Sequence, residues 1–527
     1  MLQGVVPVSR LGALRAPRAD RAVLAYPPLE AVGGLLERNR DRLARARFDL
    51  LGRPFPDLRR EAARQLLDQA ADYFRSSGEP VPDVPDGPIL LAGHQPELFH
   101  PGVWVKNFAL HGLARRHGAV PVNLVVDNDT VKSTALRLPA FRDPPPPVTE
   151  FLPHLVTVPF DYGGHEAPYE ERPVLDEAVF ASFPERARQP WGFTPMLGAF
   201  WNDVLAQARR TPLLGERFAA ARRAWERRWG CHNFEVPVSR VCGTAAFGWF
   251  ACHLLAELPR FHAIYNEAVH DYRRRHGIRS RNHPVPDLAA DGDWLEAPFW
   301  AWRSHQPEAR ATGRRGRLMA RRRGDRVELR VGEEAWPALR TPYSVLGTPW
   351  EELGRQGCKV RSRALTNTLY ARLFLGETFL HGIGGGKYDE LTDAILRRFY
   401  GIEPPEYVVL SATLLLPFPE YPARPEDCRR LAHELRDVYW NPQRHLGATE
   451  ATLRELVEER REWVERRPET RRGRRERFRK LTELTERLRP AVAGQEAELR
   501  RRLEVCALEV GANAVLRRRD YAFCLYP

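Results

Sequence analysis

Lysine is almost missing from this chain. Of 81 lysines and arginines only five are lysine: Lys106, Lys132, Lys359, Lys387 and Lys480. Long apolar runs are missing too. The longest, residues 408–418, is well short of the ~20 residues a spanning helix needs, which excludes that membrane class. Residues 1–26 carry scattered arginines and no compact apolar core, so neither a secretory signal nor an anchor is expected. Cysteine is scarce, seven in 527 residues and none in a CxxC pair. That argues against a disulfide framework or a structural zinc, and makes a reducing cytoplasm the expected location.

What is present is a globular composition, 43% apolar, over a length that allows several structural units. The formal net charge of +13 points to acidic ligands without separating RNA from small phosphate-bearing molecules. Where a chain uses arginine nearly everywhere, a retained lysine is a candidate for chemistry that arginine cannot do. Its ammonium is a compact point charge whose pKa shifts on burial.

Periodicity organises the chain as α/β. Helical spacing covers residues 30–47 and 58–76. A short apolar run at 88–92, a loop at 93–102, a helix at 103–117 and a second apolar run at 120–126 have the size of a βαβ crossover. Pro144 to Pro147 mark a boundary. Residues 151–340 read as an insertion, with helices near 215–229 and 245–272 and a hairpin at 317–331 turning at Gly324-Asp325. The βα pattern returns at 341–447: a helix at 362–375, a strand at 378–381, a glycine-rich loop at 382–386, a helix at 388–400 and a strand at 407–416. Glu/Arg-rich leucine periodicity at 448–517, interrupted by Pro468 and Pro490, predicts two helices folded back on each other, then a terminal strand. Four units result: 1–150, 151–340, 341–447 and 448–527.

Three segments carry candidate chemistry. In the first, Gly93, His94, Gln95, Glu97 and His100 lie where a parallel strand gives way to a helix, a position that faces ligands and favours anions. His94 and His100 could offset charge on a transferring group, with Lys106 one turn into the helix. In the second, Asp127-Asn128-Asp129 ends the next strand and could hold Mg²⁺, bind a hydroxyl or act as a base. In the third, Gly384, Gly385, Gly386, Lys387 and Tyr388 would let backbone approach a phosphate or second substrate. The last is not a P-loop, since no Ser or Thr follows the lysine. The arginines of 310–323 could form a nucleic-acid patch, and Cys231, Cys242 and Cys252 have no regular zinc spacing.

The order of these segments resembles the bacillithiol-biosynthesis cysteine-adding enzymes. The resemblance rests on Gly93-His94-Gln95 with Leu98-Phe99 and Pro101-Gly102, on Asp127-Asn128-Asp129, on Gly384-Gly385-Gly386 with Tyr388, and on the terminal Leu525-Tyr526-Pro527. His94 stands where that family has glutamine, and His100 has no counterpart there. The resemblance implies a Rossmann-like, nucleotidyltransferase-like parallel-sheet core split by an insertion and followed by a long helical hairpin or coiled coil. It also implies a ligase forming an amide bond to a cysteine-like amino acid. His94, His100, Lys106, Asp127 and Asp129 would be catalytic. Gly93, Gln95, Gly384, Gly385, Gly386, Lys387 and Tyr388 would bind substrate or phosphate. ATP or another nucleotide with Mg²⁺ is the candidate cofactor, and the C-terminal helices are the expected homodimer contact. The alternative is a non-catalytic RNA-binding or scaffold protein using its arginine-rich surfaces.

Overall fold

The computed structural model describes residues 12–83, 85–142, 152–164, 166–303, 315–340, 349–446 and 451–527. The proline run at 144–147 lies outside them.

Six strands form the central sheet: β1 (Ala22–Tyr26), β2 (Ile89–His94), β3 (Val120–Val125), β4 (Phe234–Pro237), β5 (Thr378–His381) and β6 (Val408–Thr413). Their order is β1-β6-β5-β2-β3-β4. All neighbours are parallel except β1, which runs antiparallel along β6. β3 is buried at all six positions, as expected of a strand covered on both faces. β4 is drawn from within the 151–340 segment.

Successive residues of a strand face opposite sides, and the packing follows that rule. Leu90, Ala92, Leu380 and Val408 pack against α1 (Val32–Arg45) and α3 (Pro101–His117). Ile89, Leu91, Val122 and Phe379 pack on the other face with α2 (Phe55–Ser76) and α4 (Ile383–Ile395). α3 begins with Pro101 and ends at Gly118 in the left-handed region, φ 58°, the usual asymmetry of helix punctuation.

Residues 382–386 are not a loop. Gly382 is the N-cap of α4, and Gly384 to Gly386 form its first turn. Helix propensity argues against three glycines, but tertiary packing overrides it: a Cβ on Gly386 would collide with Val409 Cγ2. The helical pattern at 245–272 is two helices, Ala245–Ala256 and Leu258–Arg275, the second opening with Pro259. The expected hairpin is present as Gly316–Arg323 and Arg326–Val331, inside a six-stranded antiparallel sheet with Ala290–Asp291, Trp294–Arg303, Glu334–Arg340 and Cys358–Ser362.

At the C-terminus, α5 (Pro425–Trp440) and α6 (Ala451–Glu465) pack along α7 (Arg471–Leu516), a 46-residue helix that runs through Pro490 without a break. A disulfide joins Cys428 of α5 to Cys506 of α7, with Cα atoms 5.7 Å apart. The cysteine count argued against a disulfide framework and did not foresee this single bond; the partners are 78 residues apart, a separation that leaves no spacing signal. Residues 523–525 form a 3-10 turn instead of the expected strand, and Phe523 N–H donates to Phe99 O at 2.8 Å. The chain end thereby braces the loop after β2.

Candidate functional site

Residues after β2 and β3 meet parts of the antiparallel sheet around a cavity of about 240 Å³. Its polar wall includes Gln95, Asn128, Asp129, Arg315 and Arg363, and Trp300 and Tyr265 form part of its apolar wall. That is smaller than the roughly 300–1,000 Å³ of sites for drug-sized ligands. Asp129 accepts from Gln95 Nε2 at 2.9 Å, from Thr130 N–H at 2.9 Å and from Arg315 Nη1 at 3.2 Å. Burial alone would raise its pKa, but Gln95, Arg315 and Lys132 together hold the carboxyl below its ordinary range. Two guanidiniums lie over the Trp300 ring, Arg315 at 4.3 Å and Arg363 at 4.5 Å from its centroid, a cation–π arrangement that helps to hold both. One cavity therefore brings together a carboxylate and two guanidinium groups, with Arg315 paired to Asp129 and Arg363 paired to Glu296.

Lys106 sits at the neighbouring strand end. It is 3% exposed, its Nζ donates to Gly93 O at 2.9 Å, and it forms no ion pair with a described carboxylate. Burial pushes its pKa down to about 8. His94 is pushed to about 3 by burial and Lys106. Burial and Arg519 push His100 to about 4. Both are neutral at pH 7, so the positive charge that the sequence assigns to them rests on Lys106 instead. His100 Nδ1 is occupied in capping α3, accepting from Gly102 N–H at 3.0 Å.

Asp127 and Asp129 do not act together. Asp127 accepts from Ser239 N–H at 2.9 Å and from the Ser239 hydroxyl. It lines a separate cavity of about 100 Å³ with Tyr169 and Glu170. Burial, reinforced by Glu170, pushes its pKa up to about 7. Among the described residues no three His, Cys, Asp or Glu side chains are placed to share a metal ion, so the residues present do not fit an all-protein Mg²⁺ site. Burial also raises Cys231 and Cys252 to about 12 and Cys242 to about 11, which keeps them thiols.

The triglycine segment lies beside the first segment. β5 pairs with β2 in parallel, Leu380 opposite Ala92, so Gly93 and His381 end at the same level. Gly382 and Gly384 face open space, Gly385 faces His381, and Gly386 packs on β6. The amine of Lys387 is lowered by burial and Arg15, and Tyr388 meets His283 edge-on at 5.8 Å. None of these lines the Asp129 cavity. Sequence reasoning missed Trp300, Arg315 and Arg363 as site residues. The available signal was the arginine run of residues 310–323, read as a candidate nucleic-acid patch. Among the described residues of that run, Arg315 pairs with Asp129, Arg317 with Glu296, Arg321 with Glu328 and Arg323 with Asp293; Arg310 and Arg314 lie outside the described residues.

No protein-family model matches this chain, and no curated protein matches it.

Proposed function

We propose that the protein is a ligase-type enzyme with a Rossmann-like core. It joins an amino acid, held in the Asp129 cavity, to a small phosphate- or carboxylate-bearing acceptor held at the ends of β2 and β5. The observation that carries this reading is the pairing of opposite charges in one small cavity. Asp129, paired with Arg315, would take up an ammonium group, while Arg315 and Arg363, the latter paired with Glu296, would take up a carboxylate, the two ends of a zwitterion. The fold supports the acceptor position. Strand order reverses between β5 and β2, and α3 and α4 leave on opposite faces, the point where open α/β sheets form ligand crevices. Two helix N-termini open there, and helix N-termini favour anions. A buried ammonium with no described carboxylate beside it gains from an incoming anion.

Isothermal titration of the full chain with L-cysteine, L-serine and L-alanine tests the reading. At least one should bind, and Asp129→Asn should weaken that binding tenfold or more, since a charge-assisted hydrogen bond is worth about 1.5–3 kcal/mol, with the thermal midpoint retained. Absence of binding by a folded protein at millimolar amino acid overturns it.

A further inference from the structure

His381 and Asp389 form a buried pair that the reading above leaves unused. His381 ends β5, Asp389 lies on the second turn of α4, and they are 4% and 1% exposed. His381 Nε2 lies 3.0 Å from Asp389 Oδ2. Arg372 donates to the same carboxylate oxygen at 2.6 Å, and its other terminal nitrogen reaches Asp393 at 2.6 Å. Burial would raise the Asp389 pKa, but Arg372 and His381 hold it well below the ordinary range, so the carboxylate stays charged. The imidazole is fixed in its plane, stacked on Phe379 with centroids 4.4 Å apart and met edge-on by Tyr407 at 5.1 Å.

Nε2 is the ring nitrogen nearest the carboxylate, and the other, Nδ1, faces the first turn of α4. A Cβ on Gly385 would sit 3.1 Å from Nδ1, and the adjoining Gly382 and Gly384 leave open space. The charged groups acting on the ring are Asp389 from α4, Arg372 from the turn before β5 and Lys106 from α3. The Tyr407 hydroxyl is committed to Gly386 O at 2.7 Å.

We propose that His381, oriented by Asp389, is the proton acceptor for an amine nucleophile bound at the first turn of α4. The inference rests on the reading of this crevice as catalytic. One proton leaves the nucleophile's ammonium for the Nδ1 lone pair, and the N–H electron pair stays on nitrogen. The imidazolium formed keeps its Nε2–H toward Asp389, and the proton then passes to solvent. Asp389 is a positioning residue: it sets the tautomer and stabilises the charged ring.

Nitrogen-15 NMR of the full chain labelled at histidine, with His381→Gln to assign the signal, should place the proton on Nε2 and leave Nδ1 bare at pH 7.5. Asp389→Asn should mix the tautomers. Diethyl pyrocarbonate, which acylates bare and reachable imidazole nitrogens, should modify His381 in the wild type and do so several-fold more slowly in Asp389→Asn. A proton on Nδ1, or a wild-type His381 that the reagent never reaches, overturns the proposal. If Asp389→Asn does not fold, the wild-type tautomer and reactivity still decide. Both readouts need no amino acid in the Asp129 cavity, so their failure is distinct from failure of the ligase reading.

Discussion

Lys106 shows how much of the site turns on single side chains. A buried ammonium without an acid costs stability, and the cost has a pH signature. The folded pKa of about 8 lies below the ordinary 10.5, so between these values the unfolded chain binds more protons. Stability contributed through this group therefore rises as pH increases from about 8 to 10.5, and the penalty is complete below pH 8. Lys106→Met should stabilise the folded protein at pH 7 by roughly 1–3 kcal/mol in chemical denaturation, with most of the gain gone by pH 11. It should also abolish binding of inorganic phosphate in the crevice, binding that in the wild type weakens above pH 8. The rarity of lysine made Lys106 legible in the sequence. The charge state of His94 and His100 was not, because burial sets it.

At the scale of elements, α4 shows which local patterns can be read and which cannot. Residues 378–381 were legible as a strand because β signals are local, and the observed strand has those limits. The glycine run was not legible as helix, because the reason for Gly386 is Val409 on another strand. The three glycines therefore differ in what they do. Gly386→Ala should cost about 1–3 kcal/mol through overpacking. Gly384→Ala, which points into open space, should leave stability unchanged or raise it by up to about 1 kcal/mol. Urea midpoints of the two variants check this; equal losses would contradict it. The same limit hid the Cys428–Cys506 bond and the passage of α7 through Pro490, both set by helices packed side by side.

The whole molecule assembles its candidate site from segments far apart in the sequence, Asp129 and Arg315 being 186 residues apart. Gln95 and Asp129 come from the central sheet, whereas Trp300, Arg315 and Arg363 come from the antiparallel sheet and the segments next to it. The first two were legible because they lie at strand ends. The other three were not, because their role depends on how one sheet is docked against the other. The most direct test is a crystal structure of the full chain soaked with L-cysteine at saturating concentration. The account predicts the amino acid in the cavity beside Trp300, its ammonium within hydrogen-bond distance of Asp129 and its carboxylate against Arg315 or Arg363. An empty cavity, or ordered amino acid only at some other place on the molecule, would contradict it.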